Sequence, residues 1–217
     1  MSNSDSFIDE VTDEVRRDRL FAFLRRWGWA FVVLVLLIVG GAAWTEWSRA
    51  RDRAEARAFG DALLAAMQAD TAEARAAALA ALPAEDGRAT AIRGMLEAAS
   101  QLEAGRRAEA LAALDAIAAD ADLPPAWRQL ALIKRVIADP DMAASDRGAA
   151  LDQLAQPGAP YRPLALEQQA LDLVAAGERD AAVERLRALL DEQGVPAGLR
   201  RRATQLMVAL GAQPEAA

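Results

Sequence analysis

The chain has no cysteine and no histidine in its 217 residues, and Lys134 is its only lysine. Without cysteine there is no disulfide to staple the fold, and cysteine usage carries no information about redox compartment. The two absences together remove most zinc sites, any Cys/His nucleophile pair and the commonest general base. The shortage of lysine reflects composition, with arginine supplying almost all the positive charge, as in a high-GC genome. Aromatic residues are only 5% of the chain, and four of the five tryptophans lie between residues 27 and 47. After residue 48 β-branched residues are sparse and no alternating apolar pattern marks a strand. What remains is rich in Ala, Leu, Arg and Glu, which are strong helix formers, so the fold class expected is all-α.

Charge narrows the function classes. From residue 48 onward there are 25 acidic and 20 basic residues with no basic stripe. Phosphate backbones demand clustered Arg or Lys, so nucleic acid is not an expected partner. There is no P-loop, GxGxxG, HExxH or GxSxG pattern. The acid pairs Glu85-Asp86 and Asp191-Glu192 fall at expected helix ends or loops, where capping and solvation account for them. Arg200-Arg201-Arg202 reads as a solvated helix face. The chain is therefore expected to be no enzyme, with no catalytic, cofactor-binding or metal-ligating residues and no cofactor.

Residues 28–45 carry no charge. Eighteen or so apolar residues suffice to cross the hydrocarbon core at about 1.5 Å per residue. Trp27 and Trp29 stand at one end of this run and Trp44 and Trp47 at the other. Indole rings favour the headgroup level at both faces of a bilayer. The expected organisation is a tail over 1–26, a transmembrane helix over 27–47 and a helical domain over 48–217. Gly41-Ala42-Ala43 would suit signal cleavage, but an acidic leader precedes the run, and the run exceeds the roughly 7–15 residues of a signal core. A retained anchor is expected. Its direction is not fixed by charge: Arg16, Arg17, Arg19, Arg25 and Arg26 precede it, and Arg49, Arg51, Arg53 and Arg57 follow. In the tail, Phe7, Ile8, Val11, Val15 and Leu20 recur at helical spacing and predict an amphipathic segment.

Past the anchor, Pro83, Pro124, Pro157 and Pro196 each follow a helical stretch, and the chain repeats with an offset of 72 residues. Ala98 aligns with Ala170, Gly105 with Gly177, Ala110 with Ala182, Leu114 with Leu186, Pro124 with Pro196 and Ala131 with Ala203. Two units of about 36 residues suggest helical hairpins like those of the tetratricopeptide repeat, whose period is about 34. Gly105 and Gly177 would allow the sharp turn between paired helices. Helices are expected over 51–69, 71–82, 125–138 and 146–155, with Asp139-Pro140-Asp141 replacing the Gly turn. A last helix over 197–210 would cap the stack. The Trp and Tyr of the tetratricopeptide consensus are missing and unit lengths vary, so the expectation is a tetratricopeptide-like solenoid.

The leader Phe7-Ile8-Asp9-Glu10-Val11, the run Asp13 to Leu20, the apolar helix after Arg25-Arg26-Trp27-Gly28 and the Ala-rich repeats together resemble the YfgM-like ancillary subunits of the bacterial Sec translocon. The resemblance implies an inner-membrane protein with a cytoplasmic N-terminus and a periplasmic repeat domain. It would be a scaffold working beside Sec translocon subunits, periplasmic chaperones and emerging secreted proteins. No functional residue carries over, because the family pattern has no catalytic motif. Glu97, Gln101, Gln168 and Asp172 are candidate positions along a binding face. The alternative is a self-associating membrane protein of envelope organisation or cell division. Its homo-oligomer contacts would run through Gly40–Ala43 or the 51–69 helix.

Overall fold

A computed structural model describes the backbone of residues 4–84 and 86–213, and the side chains of residues 25, 28–84 and 86–213. Among the described residues all regular structure is helical: α1 (Ser4–Met67), α2 (Ala72–Ala80), α3 (Gly87–Glu103), α4 (Arg107–Ala119), α5 (Pro125–Ala138), α6 (Ala144–Leu154), α7 (Arg162–Ala175), α8 (Arg179–Asp191) and α9 (Ala197–Ala209). The chain divides into two compact units, the first ending at Ala58 and the second beginning at Phe59.

The first unit is carried by α1. Its apolar stretch is long and apolar enough to cross a membrane and lies near the N-terminus, with none of it buried. Trp29, Phe31, Leu37, Trp44 and Trp47 are all exposed. The rings of Trp44 and Trp47 stack tilted, with centroids 5.4 Å apart. The Thr45 hydroxyl donates to the Ala42 carbonyl at 2.9 Å, so the one hydroxyl of the stretch is satisfied within the helix. Beyond it, Arg53 reaches back to Glu46 at 3.3 Å and Arg51 forward to Glu55 at 2.7 Å. These pairs are solvent-exposed and worth a few tenths of a kcal/mol each, roughly. Residues 49–58 are exposed throughout, and among the described residues the first buried one is Ala66. The side chains of Trp27 and of the tail residues Phe7, Ile8, Val11, Val15 and Leu20 lie outside the described residues.

In the second unit, local chemistry sets the helix ends. Thr71 accepts a hydrogen bond from the Ala74 amide at 3.1 Å, and Asp86 from the Ala89 amide at 2.7 Å, each satisfying an orphan donor of the first turn. Pro125 and Pro163 occupy first-turn positions, where a missing N–H costs nothing. Gly105 and Gly177 adopt φ of 76° and 78°. Behind them, the Arg106 amide donates to Gln101 O at 2.8 Å and the Glu178 amide to Leu173 O at 2.9 Å, the Schellman closure of α3 and α7. Asp139 takes the glycine's place after α5. Its carboxylate accepts from the Asp141 amide at 3.2 Å and from Arg135 Nη1 at 2.6 Å.

The offset of 72 residues runs through the helices themselves. It carries the start of α2 onto α6, the end of α3 onto α7, both ends of α4 onto α8 and the start of α5 onto α9. The aligned residues are buried alike: Leu79 with Leu151, Ala98 with Ala170, Ala110 with Ala182, Leu114 with Leu186, and Ala131 with Ala203. Alanine at three of these five places lets neighbouring helices approach closely, while each leucine adds about 1.5–3 kcal/mol of burial. From α2 onward each helix packs on the next, and α5 also touches α3 and α7. The apolar core accordingly falls into three groups, centred on α3–α4–α5, α5–α6–α7 and α7–α8–α9.

Arginines brace this packing. Arg75 of α2 pairs with Glu103 of α3, and its counterpart Arg147 of α6 pairs with Asp172 of α7 at 2.8 Å. Arg147 also donates to the Val136 carbonyl at 2.7 Å, tying the end of α5 to α6 and α7. Arg135 bridges Asp115 of α4 and Asp139. Burial alone would lower the pKa of Arg135, but its bonds to the two carboxylates outweigh that and raise it.

Candidate interaction groove

Helices α5, α7 and α9 meet along one face of the second unit and leave a groove of about 410 Å3. Its apolar wall is made by Ile137 of α5, Leu164 and Leu171 of α7, and Leu206 of α9. Each stands there because helical spacing brings it to the seam: Leu164 and Leu171 are seven residues apart, two turns along α7. Ile137 is 50% exposed and Leu171 41%, so the wall is open to solvent.

The polar part consists of Glu167, Gln168 and Arg202. Glu167 is buried and Arg202 is more than half exposed. Arg202 Nε and Nη2 each donate to a different Glu167 oxygen at 2.8 Å, a two-bond fork that a lysine could not make. That hydrogen bonding, helped by the carboxylate charge, raises the pKa of Arg202. Gln168 Oε1 accepts from Arg147 Nη2 at 3.2 Å, which ties this groove residue to α6.

The expected binding-face residues separate into different roles. Gln168 lines the groove. Asp172 does not; it is engaged by Arg147. Glu97 and Gln101 bond to each other along α3 at 3.0 Å and take no part in the groove wall. Within the arginine run, only Arg202 enters the groove, while Arg200 Nη1 caps α8 at the Leu190 carbonyl, 3.1 Å away. Asp86 is a helix cap and Glu192, just past α8, pairs with Arg162 at the start of α7; Glu85 lies outside the described residues. No cluster of three or more acidic residues with metal-holding geometry occurs among the described residues.

Ile137, Leu164, Glu167, Leu171 and Leu206 escaped the reading of the sequence. The signal for them lies in the 72-residue register. Shifted back by 72, Glu167 falls on Met95, Gln168 on Leu96 and Arg202 on Leu130, while Ile137 falls on Ala65, Leu171 on Ala99 and Leu206 on Lys134. Met95 and Leu130 belong to the first apolar core. Along α7 and α9 a buried methionine thus gives way to a buried, arginine-paired glutamate, and an alanine and an exposed lysine give way to leucines; Ile137 joins them from α5 of the first half.

No family model, curated protein or solved structure matches the chain.

Proposed function

We propose that this protein is a membrane-anchored, non-catalytic scaffold that binds other proteins through a tetratricopeptide-like solenoid. The observation that supports it best is the recurrence of α2–α5 as α6–α9 with one 72-residue offset, in a chain that also carries a charge-free membrane-length helix. Stacked helical hairpins present extended surfaces made of many small contacts, which suits holding polypeptides better than turning over a small substrate. In this reading α9 caps the array. At the positions where α5 meets α6 with Ile133 and Val136, α9 carries Gln205 and Val208, half of the apolar surface having been replaced by a polar side chain.

The resemblance to the YfgM-like subunits supplies the setting: N-terminus in the cytoplasm, repeats in the periplasm of a bacterial inner membrane. There the domain acts beside the Sec translocon, handing emerging chains to periplasmic chaperones. Since the natural chain has no cysteine, Ser4→Cys and Ser145→Cys variants test the topology directly. A membrane-impermeant thiol reagent added from outside is expected to label the second and spare the first; the opposite pattern removes the proposed orientation. Crosslinking in intact membranes followed by mass spectrometry is expected to recover translocon or chaperone peptides. Recovery of this chain alone would favour self-association instead.

A further inference from the structure

We infer that the α5–α7–α9 groove takes an uncharged, apolar polypeptide segment. The inference rests on the scaffold reading and adds where the scaffold grips and what it grips.

Charge balance points to this occupant. The acid and the base of the groove, Glu167 and Arg202, satisfy each other through two bonds of 2.8 Å. Arg147, alongside, is held by Asp172 and the Val136 carbonyl. A charged side chain entering the groove would lose its water and meet no uncompensated partner, and it would gain one only by breaking a formed ion pair. A Leu, Ile or Val side chain meets Ile137, Leu164, Leu171 and Leu206. The volume of about 410 Å3 is at the lower end of ligand pockets, enough for a few side chains and too little for a folded surface.

The comparison with the first half adds an independent argument. Stability alone favours apolar residues inside and polar residues outside. In α7 and α9 this face departs from that rule: the buried Met95 becomes the buried Glu167, whose charge the more exposed Arg202 meets in place of Leu130, while Ala99 becomes the exposed Leu171 and the exposed Lys134 becomes Leu206. A departure from the packing rule at a concave site fits a surface kept for binding.

The test uses the full chain in lipid nanodiscs and a fluorescent, end-capped peptide of Leu, Ala and Gln, with empty nanodiscs as the blank. Anisotropy is expected to show binding to the wild type. Leu171→Asp and, separately, Ile137→Asp should each weaken it by about tenfold or more, the equivalent of roughly 1.4 kcal/mol. Leu64→Asp, an exposed apolar position outside the groove, should leave it unchanged. Replacing one Leu of the peptide by Asp or by Lys should weaken binding to the wild type by a similar factor. Unaltered circular dichroism confirms that a variant is folded, and the two groove variants check one another. No binding to the wild type, unchanged binding by both groove variants, or equal binding of the charged peptides overturns the inference. The scaffold reading fails separately, when membrane crosslinking of the wild type recovers only this chain. If partner proteins crosslink equally to wild type and Leu171→Asp, the scaffold stands and the groove assignment falls.

Discussion

Helices α2–α5 and α6–α9 are two renderings of one plan, and they differ mainly on one face. The positions that bring helices together are the same in kind: Ala98 and Ala170, Ala110 and Ala182, Leu114 and Leu186 are all buried. The turns match too, with Gly105 and Gly177 in the same left-handed conformation and Arg106 and Glu178 within a few degrees in φ and ψ. The groove positions are where the halves part. The difference teaches that the helix-packing residues of the repeat are held while the groove residues vary, so the proposed binding face can be altered without the packing.

The largest expected effect tests the shared part. Leu114→Ala and Leu186→Ala each remove a side chain that is no more than 2% exposed. Each should cost about 2–5 kcal/mol, the usual range for a leucine-to-alanine cavity. Urea unfolding followed by far-UV circular dichroism measures both. Similar losses are expected because each leucine sits in the same three-helix setting, Leu114 within α3–α4–α5 and Leu186 within α7–α8–α9. A loss below about 1 kcal/mol in one half would break the equivalence.

The next effect tests the part that differs. Arg202→Leu leaves the Glu167 carboxylate buried without its two donors, and about 1–3 kcal/mol of stability should be lost. Glu167→Met together with Arg202→Leu restores the pairing that Met95 and Leu130 have in the first half. The double variant should return to within about 1 kcal/mol of wild type, since a well-packed apolar pair commonly replaces an ion pair without loss. If the double variant is as unstable as Arg202→Leu alone, the two halves are not interchangeable at this face.

These contrasts also explain what could be read in the sequence. Composition and the missing strand pattern indicated helices, Pro124 and Pro196 placed α5 and α9 closely, and Gly177 placed the turn between α7 and α8. α2 is shorter than the expected 71–82 at both ends, because Thr71 is its N-cap and Ala81, ahead of Pro83, its C-cap. α6 begins at Ala144, ahead of the expected Asp146. Of the candidate binding-face residues only Gln168 reaches the groove. Polar residues on a helix look alike in a sequence whether they meet a ligand or a neighbouring arginine, as Asp172 does. The apolar wall was hidden for the opposite reason. Leu164 and Leu171 have the spacing of core residues, and only the absence of a helix over them, visible in three dimensions, makes them a surface.

A smaller effect is expected at the turns. Gly105→Ala and Gly177→Ala place a Cβ in open space, with nothing within 4 Å, so the cost is that of the left-handed backbone alone. That is about 1–2 kcal/mol each. The two variants should lose the same amount in urea unfolding, and a difference beyond about 0.5 kcal/mol would show that one turn carries tertiary load that the other lacks.

The smallest effect separates the halves by pH. The register sets Asp139, which ends α5, against Gly211, which follows α9 with φ of 73°. The first turn therefore has a titrating group where the second has none. The hydrogen bond from Arg135 holds the Asp139 carboxyl below the ordinary aspartate range, against the upward push of burial and with the help of the Arg135 charge. A carboxyl whose pKa is lower folded than unfolded contributes stability that is complete above the unfolded value, about 3.9. That contribution is lost as pH falls through the folded value, because protonation then no longer distinguishes the two states. Asp139→Asn should therefore be less stable than wild type at neutral pH, and the gap should close as acidification goes below about 4. Gly177→Ala, whose cost is conformational, should keep the same gap at both pH values. Urea melts of wild type and both variants at pH 7 and about pH 3 decide it. A gap for Asp139→Asn that persists at low pH would mean that the side chain acts through its shape and packing and not through its charge on Arg135; the Asp141 amide contact is not the source, because an asparagine oxygen can largely reproduce it.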